Sequence, residues 1–124
     1  MQKVEYKHKE LTSEIINAAH TVHNKLGYGF LEKVYHKSLF TELSKRGYRV
    51  EIQKPIEVRY DNQVVGEFFA DLLVENKVVV EVKAADKYTS VFEAQLLNYL
   101  KAAGLEVGLI INFGPSVEVK RMVL

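Results

Sequence analysis

Asp71, Glu81 and Lys83 form the pattern D-x9-E-x-K inside an otherwise apolar, β-rich segment, where a core strand would ordinarily carry valine. Charged side chains are costly to desolvate unless they are paired or bind an ion, so this trio points to a metal site with a lysine beside it. Oxygen donors suit Mg²⁺ or Mn²⁺. Carboxylates on paired strands, with Cα atoms ~5 Å apart, can hold one ion and leave positions for water and a phosphate oxygen. A neighbouring lysine can orient the water or neutralise charge developing on the phosphate. This is the chemistry of a metal-dependent phosphodiesterase. The plainer alternative is that Glu81 and Lys83 are the outward face of an exposed strand and Asp71 is incidental.

Strand register tests the idea. Glu81 and Lys83 are two apart and share a face with Val79, while Val78, Val80 and Val82 point the other way. For Asp71 to stand opposite Glu81, Val74 must pair with Val78 around a three-residue loop, Glu75-Asn76-Lys77, or around a bulge. A tight two-residue turn would flip the aspartate away.

The elements that must position these residues follow from periodicity and punctuation. A first helix is expected from about Leu11 to Lys25, capped by Thr12 or Ser13, with Ile15, Ile16, Ala19, Val22, His23 and Leu26 on its apolar stripe and Gly27 at its end. A second runs from about Phe30 to Arg46 and stops at Gly47; Leu31, Val34, Tyr35 and Leu39 form its apolar side, with Glu32 on the margin. Three strands then form a meander: about Arg49 to Tyr60 with an interruption at Pro55, Val64 to Val74, and Val78 to Lys83. A helix from about Val91 to Ala103 starts with Ser90 and Glu93 at capping-box spacing and ends at Gly104. Val107 to Phe113 reads as a strand covered on both faces, and Val117 to Leu124 as an edge strand. The order is ααβββαββ.

Composition sets the frame. A chain of 124 residues with 48% hydrophobic and 27% charged residues is expected to form one domain, residues 1 to 124, burying roughly two thirds of its unfolded surface. No apolar run approaches the ~20 residues of a membrane span, and Met1 to Glu10 is polar, unlike a signal peptide. With no cysteine, disulfides and thiolate metal sites are excluded, and a reducing cytoplasm is the expected location. Seventeen basic residues against 16 acidic give a net charge of +1, so any phosphate-binding surface must be local. Lys33 and Lys37, then Lys45, Arg46 and Arg49, and finally Lys83 and Lys87 are its candidates; each is also explicable as part of a solvated face.

Three further motifs accompany the acidic pattern. Gly29 to Tyr35 spells GxxExxY, Gln95 and Tyr99 form Q-xxx-Y, and Val22-His23-xx-Leu26-Gly27 precedes the first of these. Together, in this order and over nearly the whole chain, they resemble the GxxExxY group of the PD-(D/E)XK nuclease superfamily. The resemblance implies a restriction-endonuclease-like α/β core, a mixed central sheet flanked by helices. It implies Asp71, Glu81 and the backbone carbonyl of Val82 as ligands of Mg²⁺ or Mn²⁺, Lys83 as catalytic lysine and Glu32 as an additional helix-borne carboxylate. Gln95 and Tyr99 resemble the motif of RecB-like nucleases that braces the site and contacts substrate. Ala70 stands where the superfamily usually has proline, a departure that leaves the ligands unaffected.

Several of these residues also have structural readings. Tyr35 and Tyr99 lie on apolar stripes and can be core aromatics with hydrogen-bonded hydroxyls. His23 is either a satisfied core histidine or a partner of Glu32 or a general base. His8, His20 and His36 carry no motif and are assigned nothing. The functional expectation is a Mg²⁺- or Mn²⁺-dependent nuclease acting on nucleic acid, DNA in preference to RNA, with no membrane association. The alternative is a non-cleaving nucleic-acid-binding or regulatory module that keeps the fold, with a second copy or a protein partner completing the substrate groove. A glycosidase built on Glu32 and Glu81 leaves Lys83 and Asp71 without a role.

Overall fold

Leucine, isoleucine and alanine at helical spacing produce α1 (Lys9–Leu26), which buries Ile15, Ala18, Ala19 and Val22, and α2 (Glu32–Lys45), which buries Tyr35, Leu39 and Leu43. These details come from a computed structural model that describes residues 7–124; for residues 1–6 the reading of a polar, non-signal N-terminus lies outside the described residues. The first helix starts two residues earlier than expected, with His8 and not Thr12 or Ser13 at its cap, and the Thr12 hydroxyl donates to the Lys9 carbonyl. The second begins at Glu32 because Leu31 is still extended.

The strands are β1 (Val50–Tyr60), β2 (Gln63–Val74), β3 (Val78–Lys83), β4 (Val107–Phe113) and β5 (Val117–Val123), with α3 (Val91–Ala103) between β3 and β4. They form one mixed sheet in the order β1-β2-β3-β4-β5, in which only β3 and β4 run parallel. Pro55 does not interrupt β1. It pairs with Phe69 on an edge strand, where a missing N–H can face away from the sheet. Asp61 and Asn62, both at positive φ, close the β1–β2 hairpin.

Helices cover both faces. On one, α1 and α2 pack over Leu72, Val74, Val78, Val80, Val82, Leu109 and Ile111; on the other, Leu96 and Leu100 of α3 pack over Leu73, Val79 and Ile110. Ser90 and Glu93 do not make the expected capping box: the Glu93 carboxylate accepts the Tyr88 hydroxyl at 2.6 Å, and the Glu93 N–H goes to the Ser90 carbonyl. Among the described residues no helix is long and apolar enough to cross a membrane.

Candidate active site

The loop between β2 and β3 has three residues. Glu75 and Asn76 take positive φ, the Lys77 N–H returns to the Val74 carbonyl at 3.0 Å, and Val74 pairs with Val78. Extending that register places Asp71 opposite Glu81, but the ladder stops one pair short, at Leu72 and Val80. Two carboxylates bridge the strands from there. The Val82 N–H donates to Asp71 Oδ2 at 2.8 Å, and the Asp71 N–H donates to Glu81 Oε2 at 3.2 Å. Side-chain oxygens thus take donors that ladder carbonyls would otherwise take, and the gap between β2 and β3 is lined with carboxylate.

The other side of β2 is disturbed at the same residue. Ile52 pairs with Leu72 and Lys54 with Ala70, while Gln53 between them, opposite Asp71, has φ 54°. The strand turns over here: Phe68 and Ala70 face α3, whereas Leu72 faces α1 and α2. The Asp71 carbonyl leaves the sheet and meets Nε2 of His36 on α2 at 2.8 Å, an interaction that requires the proton on Nε2. His36 was not legible from motifs. Its one signal is position, a helical turn after Glu32 on the same side of α2.

Glu81 is only 5% exposed. Burial first, then the charge of Asp71, pushes its carboxyl up to about 8, against the weaker opposing effects of the Asp71 N–H and Lys83. Glu32, at the exposed start of α2, is also raised, by partial desolvation of its carboxyl and by Asp71, with Lys83 and His36 acting the other way. Lys83 ends β3, its Nζ 5.0 Å from the centroid of the Phe92 ring on α3. Tyr99 lies on the same side of the sheet, stacked on Phe68 with centroids 3.8 Å apart and hydrogen-bonded by Gln95; burial, Glu81 and Asp71 raise its hydroxyl. The sequence-derived residues Glu32, Asp71, Glu81, Lys83, Gln95 and Tyr99 therefore belong to one electrostatic neighbourhood.

His23 and Tyr35 are engaged elsewhere. His23 Nε2 bonds the Gly114 carbonyl at 2.9 Å and its ring stacks on Phe113, so its partner is β4's exit and not Glu32. Tyr35 is fully buried; its hydroxyl donates to the Gly27 carbonyl at 2.6 Å and accepts the Phe30 N–H at 3.2 Å. This gives GxxExxY a physical meaning. Gly29 takes φ 111°, which side chains rarely adopt, and Tyr35 fastens the resulting loop so that α2 begins with Glu32 facing the strand gap. Tyr35→Phe is expected to lower stability by about 1–2 kcal/mol, since both loop groups lose their partner, and to lower any activity through Glu32. Thermal melting checks the first effect.

The segment leaving Lys83 is fixed by Asn112, whose side chain both accepts the Ala85 N–H at 2.8 Å and donates to the Ala85 carbonyl at 3.0 Å. Gly114 lies against the same carbonyl, where a Cβ would come within 2.8 Å. Of the expected basic patch, Arg46 is a strut between α1 and α2, bonded to Glu42, Asn17 and Thr21. Lys45 pairs with Glu42. Lys33, Lys37 and Lys87 are exposed, and Lys33 and Lys37 share the α1–α2 side with Lys25.

The donors fit a hard divalent cation. Asp71 and Glu81 supply carboxylate oxygens, and the Val82 carbonyl leaves the strand on the same edge as its N–H, towards the gap. Burial and Asp71 hold Glu81 protonated near neutral pH, and a cation between the two carboxylates would favour its ionised form. Among the described residues no three histidine or acidic side chains converge into a ready-made cage, while Glu32 is close enough to feel the charge of Asp71 and to act on Glu81.

Comparison with known proteins agrees with this geometry. A family profile described as the PD-(D/E)XK nuclease superfamily matches residues 9–122. Solved structures match too, among them the crystal structure of SSO0001, with a TM-score of 0.60 at 17% identity over 96% of this chain and 60% of that one. The chain thus spans about 60% of that structure's length. At this identity the likeness speaks for the fold, a restriction-endonuclease-like mixed sheet with flanking helices. Curated proteins yield no significant match.

Proposed function

This chain belongs to the PD-(D/E)XK nuclease superfamily, and on that premise we propose that it is a Mg²⁺- or Mn²⁺-dependent nuclease of the GxxExxY type, a single nuclease domain acting on DNA in preference to RNA. The carrying observation is the pair of carboxylates that bridges β2 and β3 where their ladder ends, one of them buried, with Lys83 at the end of β3. Nucleases of this superfamily generally use divalent metals; here Asp71, Glu81 and the Val82 carbonyl would hold the ion. Bound there, it supplies Lewis-acid polarisation of the phosphate and a more acidic water.

The chain's own residues do the remaining work. As water oxygen bonds to phosphorus and the P–O bond to the leaving strand breaks, charge grows on the phosphoryl oxygens, and the Lys83 ammonium offsets it. The attacking water gives up a proton to solvent, and the leaving oxygen takes one from solvent. His36 keeps Asp71 in position through its carbonyl, and Gln95 and Tyr99 brace the α3 side. The proposed setting is the cytoplasm, with a second copy or a protein partner completing the substrate groove.

The test is calorimetric titration of Mn²⁺ into wild type, Asp71→Asn and Glu81→Gln, followed by incubation of each with labelled single- and double-stranded DNA and RNA. Binding confined to wild type, with cleavage by wild type alone, is the expected result. Metal-independent cleavage, or cleavage undiminished in both variants, would sink the assignment. The near-neutral net charge of +1 favours a second reading, a nucleic-acid-binding or regulatory module that keeps the fold and cuts nothing itself. Wild type that binds nucleic acid and never cleaves it would establish that reading instead.

A further inference from the structure

We propose that the loop from Gly27 to Leu31 is a base-stacking platform, so that the nucleic acid reaching Lys83 is one with unpaired bases; this rests on the nuclease reading above. Tyr28 and Phe30 are 51% and 47% exposed, two aromatic rings within three residues at the approach to Glu32. Leu31 beside them is 68% exposed, and exposed apolar residues grouped in one loop can mark a binding site.

These rings are exposed and yet fastened. The Tyr35 hydroxyl holds the loop's backbone at both Gly27 and Phe30, and the Phe30 ring meets Tyr35 edge-on with centroids 6.2 Å apart. The Tyr28 hydroxyl donates to the Asp86 carboxylate on the segment that follows Lys83. That bond ties the α1–α2 loop to the β3–α3 loop, so the two segments flanking the site are joined through an exposed ring. A ring already fixed in place loses little freedom when a base stacks on it.

Charge is arranged to match. Lys33 follows Glu32 and Lys87 follows Asp86, both exposed, and Asp86 is itself engaged with Tyr28. Exposed aromatic faces in a fastened loop, with exposed lysines next in the chain to Glu32 and to Asp86, suit a strand that presents both bases and phosphates. Stacking of this kind tolerates any sequence because every base has a π-face. In a blunt duplex only the outer faces of the terminal pairs are open and every other face is occupied by a neighbouring base, so the platform favours single strands, overhangs and frayed ends.

The test reads binding without cutting. With Lys83→Ala in every sample to block cleavage, a single-stranded oligonucleotide carrying 2-aminopurine is titrated with the parent, Tyr28→Phe, Phe30→Ala and Phe30→Trp. Stacking on the parent is expected to quench the probe. Phe30→Ala should weaken binding about tenfold and remove the quench, Phe30→Trp should restore both, and Tyr28→Phe, which keeps the ring, should bind with a smaller loss. A blunt duplex should bind more weakly than the single strand. Phe30→Ala that melts like the parent and binds and quenches equally overturns the platform, as does equal affinity for blunt duplex and single strand. The two failures are separable: wild type that cuts nucleic acid while Phe30→Ala behaves as the parent removes only the platform, whereas wild type that neither binds nor cuts removes the nuclease reading as well.

Discussion

Lys83→Ala is expected to reduce nucleic-acid cleavage by about 10²–10³-fold while leaving the fold intact, the usual loss when one preorganised charge aimed at a developing oxyanion is removed. Stability should change little. Lys83 is partly exposed at the end of β3, and its contact with the Phe92 ring at 5.0 Å is of the kind that contributes about 0.5–1 kcal/mol. Metal binding should weaken only modestly, because Lys83 lowers both Glu81 and Glu32 and its loss lets those acids hold their protons more firmly. Lys83→Arg keeps the charge and should retain part of the rate. Single-turnover cleavage alongside a Mn²⁺ titration separates the two effects. A Lys83→Ala protein that cuts at the wild-type rate would falsify the catalytic assignment, whatever its affinity for metal.

Glu81→Gln should do something less intuitive: abolish cleavage and stabilise the metal-free protein at alkaline pH. An unfolded glutamate titrates near 4.5, whereas burial and Asp71 hold the folded Glu81 up to about 8. The folded state therefore binds the extra proton between these values. The stability this provides is complete below about 4.5 and is lost as pH rises through about 8. At ~1.4 kcal/mol per pH unit the full loss is on the order of 5 kcal/mol, of which about 3 kcal/mol falls between pH 6 and pH 9, a melting-temperature difference of order 10 °C for a domain this size. Glutamine has no proton to lose, and its carbonyl can still accept the Asp71 N–H. Melting curves at pH 6 and pH 9 should thus converge for Glu81→Gln and diverge for wild type. Added Mn²⁺ should raise the wild-type curve at pH 9 and leave the variant unmoved. Equal pH dependence in both proteins would show that Glu81 is ionised in the metal-free fold.

The element order, the meander, the Val78–Lys83 strand, the Val91–Ala103 helix and the three-residue loop before Val78 were all legible in the chain, because each depends on local periodicity and on glycine or Asp-Asn punctuation. Errors fell where long-range partners override local signals. Pro55 reads as a break until one knows that β1 is an edge strand. Ser90 and Glu93 read as a capping box until Tyr88 is found beside Glu93. Arg46 reads as a phosphate ligand until Glu42, Asn17 and Thr21 surround it.

For the site the division is similar. Spacing alone determined that Glu81 and Lys83 share a face, since a strand's period is two; it placed Asp71 opposite Glu81 only on condition of a three-residue loop or a bulge, and the structure supplied that loop by pairing Val74 with Val78. Only the tertiary structure decided that the ladder ends there, that the carboxylates themselves bridge the gap, and that His36 from α2 holds the Asp71 carbonyl. It also assigned His23 to Gly114 and Tyr35 to the Gly27–Phe30 loop. Local sequence specifies which face a residue occupies; which groups meet across that face depends on elements brought together from 35 to 91 residues away, as for His36 with Asp71 and His23 with Gly114, and no local pattern encodes those meetings.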